Sequence, residues 1–85
     1  MIIDTEVSEI LYSKHYEDGT TVLILKYMPE ASEAINRTYE AVTLTYGVDR
    51  TRNAFHGNDQ TALGVFHDIC KLQEDFLEKK GEPND

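Results

Sequence analysis

The alternation of apolar and polar positions opens the chain on two strands. EVSEILYSKHY and TVLILKYM are rich in β-branched, aromatic and aliphatic residues, and EDGT between them supplies Asp18-Gly19, a pair suited to the positive φ of a tight turn. The pattern predicts a β-hairpin. Along its second strand Val22 and Ile24 point to one face while Leu23, Leu25 and Tyr27 point to the other, because successive side chains alternate. Both faces are apolar, so both require cover.

From Pro29 onward the period changes. Proline is tolerated in a first helical turn and Glu30 suits the positive end of the helix dipole. Ala31, Ala34, Ile35, Tyr39, Val42 and Tyr46 then recur at three- and four-residue steps up to Gly47, which predicts a helix over 30–46. A polar connection follows. Asn58 or Asp59 offers an N-cap for a second helix with Ala62, Phe66, Ile69, Cys70, Gln73, Phe76 and Leu77 on its apolar stripe and Lys79, Lys80 and Gly81 at its end. Only Gly64 opposes it, at about 1 kcal/mol relative to alanine. The expected class is α+β: an N-terminal antiparallel β-hairpin followed by two α-helices packed on the sheet (ββαα). It forms one domain over residues 1–81, with a polar tail at 82–85 expected to be disordered. A lone two-stranded sheet is barely stable, and two helices cover one face of it. A homodimer closed through the sheet is therefore expected, unless a short strand from Met1 to Thr5 takes up part of that demand.

Charge narrows the function classes. Eight Lys and Arg against sixteen Asp and Glu leave a formal charge of -8 on 85 residues, a field that opposes direct binding to nucleic acid or anionic membrane and favours basic partners. No apolar run approaches the roughly 20 residues needed to span a bilayer. The amino terminus lacks a basic-then-apolar signal layout, and Cys70 is the single cysteine, so a cytoplasmic protein without disulfide or multi-cysteine zinc site is expected. His67 and Cys70 stand three apart, near enough to share a metal, but Cys70 falls on the apolar stripe and packing accounts for both. With no Ser-His-Asp order, HExxH, CxxC or P-loop, the expectation is a binding protein with no cofactor and no metal rather than an enzyme.

Two sets of residues carry the functional expectations. In the first, Glu17, Asp18, Glu30, Glu33 and Glu40 present carboxylates outward, and Tyr12 and Tyr16, sharing a strand face, serve as exposed interface anchors. Carboxylates on so small a body can imitate a nucleic-acid backbone, so the expected partner is a larger basic nucleic-acid-processing protein whose groove they occupy. In size and charge the chain resembles small acidic proteins of phages and mobile elements, anti-CRISPR-like inhibitors of host nucleic-acid enzymes.

The second set is Arg50, Arg52, Asn53 and His56, just ahead of the second helix. Guanidinium groups and the unpaired N–H groups of a helix start could together hold a nucleotide or other anionic metabolite. The octapeptide Arg52-Asn53-Ala54-Phe55-His56-Gly57-Asn58-Asp59 resembles the R-N-x-x-H-G-S-D segment of nucleoside diphosphate kinases, where the histidine accepts the phosphate. That resemblance implies phosphorylation of His56. It covers eight of 85 residues and departs at Asn58, and the rest of the chain offers no counterpart of that family's nucleotide site, so its activity is not carried over.

Overall fold

The computed structural model describes residues 7–81. The elements run β1 (Ser8–His15), β2 (Thr20–Tyr27), α1 (Pro29–Ile35), β3 (Tyr39–Thr45), β4 (Val48–Phe55) and α2 (Asp59–Gly81). All four strands pair antiparallel in the order β1-β2-β3-β4, a meander with α2 laid across it. The class is α+β, and the β1–β2 hairpin turns through Gly19 at φ 88° as its sequence predicts. The sheet is larger than the expected hairpin. The expected Met1–Thr5 strand and the 82–85 tail lie outside the described residues.

The predicted helix over 30–46 ends at Ile35. Asn36 takes the left-handed conformation (φ 55°, ψ 44°), and its N–H and that of Arg37 both donate to the Ser32 carbonyl, which closes the helix. Tyr39 to Thr45 then forms β3 because the same residues also fit a period of two. Tyr39 and Ala41 face α2, whereas Val42 and Leu44 face the other way, and the β-branched Val42, Thr43 and Thr45 favour the strand. Gly47 is the second residue of a two-residue hairpin loop and not a helix stop: Tyr46 and Gly47 have φ of 49° and 77°, the paired positive values such a loop requires. The predicted polar connection is β4, an edge strand exposed along all but Phe55, which explains its polar composition.

Two layers of core flank the sheet. On one side Ile24, Tyr39, Ala41 and Ala62 form a buried cluster against Leu11, Tyr12, Phe55, Val65, Phe66 and Ile69, and Tyr16, Val22 and Cys70 continue it beneath the second half of α2. On the other side Leu23, Leu25, Val42 and Leu44 cluster at 0 to 7% exposure. These four are shielded within a single copy, so the bare sheet face that motivated a dimer through the sheet is absent at its centre. A bulge at Leu11 and another at Arg50 interrupt the two edge strands, a common way of keeping open edges from pairing with another chain.

Residue Asn58 is the N-cap of α2. Its Oδ1 accepts from the Thr61 N–H at 2.9 Å while the Thr61 hydroxyl accepts from the Asn58 N–H at 3.3 Å. Two further anchors of α2 each join a helix carboxylate to a tyrosine and a lysine of the sheet. Asp59 accepts from Tyr39 (2.6 Å) and Lys26 (3.0 Å), and Glu74 accepts from Tyr16 (2.6 Å) and Lys14 (3.1 Å). The Tyr39 and Lys26 bonds hold the Asp59 carboxyl below the usual carboxylate range, and the Tyr16 and Lys14 bonds do the same for Glu74. Stability from these ties is therefore complete above the ordinary carboxylate pKa and is lost as pH falls through the lowered folded values. Calorimetric melting between about pH 2 and 7 should show an acid limb that flattens in Asp59→Asn/Glu74→Gln; an unchanged limb would place the acid sensitivity elsewhere.

Candidate functional site

Two hollows among the described residues bear on the candidate site. The first, about 410 Å³, lies on the side of the sheet away from α2 and is lined by Tyr27, Arg37, Glu40, Arg52 and Ala54. Glu40 is 3% exposed, a correction to its expected place among the outward acids. Strand alternation carries it to the face of Val42 and Leu44, where four donors meet it. Oε1 accepts from Arg52 Nε (2.9 Å), Arg52 Nη2 and Tyr27 Oη (3.1 Å), and Oε2 accepts from Arg37 Nη1 at 3.3 Å. Arg52 also donates to Asp49 at 3.2 Å. Burial alone would lower the Arg52 pKa, but the bonds and charge of Glu40 outweigh it and raise the value. Burial and then the Glu40 charge push the Tyr27 hydroxyl up as well. With two arginines against Glu40 and Asp49 this cluster is neutral and internally satisfied. It is a fastening between β3 and β4.

The second hollow, about 500 Å³, lies between α2 and the β3–β4 turn. Asp18, Thr20, Thr43, Thr45, Tyr46, Arg50, Gln73 and Phe76 line it. Asp18 is engaged inside the fold, accepting from the Thr20 N–H and hydroxyl and from Gln73 Nε2 at 3.0 Å. Tyr46 is 79% exposed and Phe76 55%, although both were expected on core faces. The Tyr46 ring lies so close over Gly19 that an added Cβ there would come within 2.5 Å of it, and the Tyr46 N–H donates to the Gly19 carbonyl at 3.0 Å. Arg50 makes no ion pair among the described residues, whereas Arg37 and Arg52 are both paired.

The sequence-selected residues scatter. Tyr16 is 8% exposed beneath α2, bonded to Glu74, and Tyr12 stacks on Phe66 at 5.6 Å, so both are packing residues and not exposed anchors. Burial, then the Glu74 bond, drives the Tyr16 hydroxyl strongly upward. Glu17 and Asp18 occupy the β1–β2 turn at one end of the sheet, and Glu30 and Glu33 lie on α1 at the other. Arg50, Arg52, Asn53 and His56 do not converge either. Arg52 opens on the first hollow and Arg50 on the second, Asn53 pairs across to Ala41, and the His56 ring is bonded to Thr38 Oγ1 at 2.9 Å. The side chains missed by sequence reasoning are Arg37, Tyr46, Leu72 and Phe76. A tyrosine at positive φ is a poor turn residue, so Tyr46-Gly47 lacked the usual hairpin signature.

No protein-family model, curated protein or solved structure matches the chain.

Proposed function

We propose that this is a non-enzymatic acidic binding protein that occupies the basic groove of a larger nucleic-acid-processing protein, as small phage-borne inhibitors do. One observation carries the reading. Fold-stabilising ion pairs take up Lys14, Lys26, Arg37 and Arg52 with Glu74, Asp59, Glu40 and Asp49, and Glu17, Glu30, Glu33, Asp68, Asp75 and Glu78 are left exposed without an ion pair among the described residues. The surplus is therefore unneutralised carboxylate, spread towards both ends of a body 53 Å long. A track of Lys and Arg that follows a phosphate backbone would meet such charges over a comparable distance.

The test is retention of nucleic-acid-binding proteins from a bacterial lysate on the immobilised chain. Retention is expected at low salt, falling with added salt or duplex DNA, and absent for Glu17→Lys/Glu30→Lys/Glu33→Lys/Glu78→Lys. Retention indifferent to both salt and DNA, or none at low salt, would sink the reading.

A further inference from the structure

We propose that the second hollow and the adjoining flank of α2 form the contact of a homodimer, with the Leu72–Phe76 ridge of each copy over the hollow of the other. The carboxylates of Asp68 and Asp75 would reach Arg50 of the second copy. Asp68, Leu72 and Phe76 stand at successive i,i+4 positions, and Asp75 lies one residue before Phe76 on the outward side, so apolar and acidic groups share one flank, with Lys71 and Lys79 one turn to either side of Asp75. Leu72 is 69% exposed and Phe76 55%, Tyr46 across the hollow is 79% exposed, and Val48, at the start of β4 beside the same turn, is 60% exposed. That is a concentration of large apolar side chains of the kind that marks an interaction surface. The Tyr46 backbone is held at positive φ and its ring rests on Gly19, so this anchor is set before any contact forms.

Charge selects the occupant. Arg50 has no acid partner among the described residues of this acidic chain, and it lines the hollow. A basic partner would meet it as a like charge. A second copy brings Asp68 and Asp75, both exposed and without an ion pair among the described residues, on the ridge that enters the hollow. The patch thus carries both members of its own ion pair, the self-complementarity that a two-fold contact requires and that closes at two copies. The inference does not rest on the basic-partner reading, because it concerns the purified chain alone.

Sedimentation equilibrium of the full chain from micromolar to near-millimolar concentration at physiological salt tests it. The expected result is a monomer–dimer equilibrium. Phe76→Glu and Arg50→Glu should each weaken it by about tenfold or more, and Asp68→Arg/Asp75→Arg should restore association to Arg50→Glu. Circular dichroism checks folding, with Leu72→Glu as a second ridge variant should Phe76→Glu unfold. A wild-type monomer at every concentration would overturn the proposal and leave the hollow to another occupant. A dimer unchanged in both Phe76→Glu and Arg50→Glu would overturn it by placing the contact elsewhere, such as the β1 edge.

Discussion

Arg52→Ala is expected to destabilise the fold by about 3 kcal/mol, because it strips the principal cation from a carboxylate that the sheet keeps buried. Two of the three donors to Glu40 Oε1 come from Arg52, so its loss leaves that oxygen with Tyr27 alone. Arg37→Ala should cost under about 1 kcal/mol, since Arg37 makes one 3.3 Å bond and its side chain is half exposed. The sharper expectation concerns the pair. Glu40→Leu/Arg52→Leu should cost less than Arg52→Ala alone, because removing both charges leaves nothing buried and uncompensated beside Leu25 and Val42. Urea unfolding of the three variants checks the order. Equal losses in Arg52→Ala and the double variant would show that Glu40 is reached by water. Hydrogen exchange adds a local readout: β4 has little core of its own beyond Phe55 stacked on Tyr39, so its amides should lose protection first.

The same glutamate shows where the sequence becomes hard to read. Glu40 has no local mark of burial; it is an acid between Tyr39 and Ala41 in a stretch whose apolar residues fit both a helix and a strand. Positions 39, 42 and 46 satisfy the helical step, while Tyr39 and Ala41 on one face and Val42 and Leu44 on the other satisfy alternation. What decides the matter is tertiary. Asn36 can take the left-handed conformation and end α1, after which β2 offers an open edge for Tyr39 to Thr45. Once β3 is known, Glu40 falls on the face opposite α2 and β4 follows as its polar edge. The hairpin and α2 were legible because a turn pair and a long stripe each admit one interpretation. The expected site was less so. Summing charge gives the field of the molecule, but only the fold decides that Glu40, Asp49, Asp59 and Glu74 are spent on internal pairs and that Tyr12 and Tyr16 lie under a helix.

Ile24→Ala should cost about 3 to 4 kcal/mol, within the range for truncating a fully buried branched side chain to alanine. Ile24 is wholly enclosed in the cluster with Tyr39, Ala41 and Ala62, where β2 and β3 meet the first turns of α2. Ala62, also 0% exposed, lets the helix approach the sheet closely, so the space vacated by Ile24 lies between a rigid strand pair and a helix already in contact. Little collapse can fill it. An 85-residue domain holds roughly 4 to 13 kcal/mol in all, so this loss should lower the melting temperature by roughly 15 °C. Ile10→Ala, on the same sheet but 48% exposed, should cost under about 1 kcal/mol. The contrast tests the layer assignment directly. If the two variants melted alike, Ile24 would not be the floor on which α2 rests, and the helix that carries Asp68, Leu72, Asp75 and Phe76 would have to be held in place by its Asp59 and Glu74 ties instead.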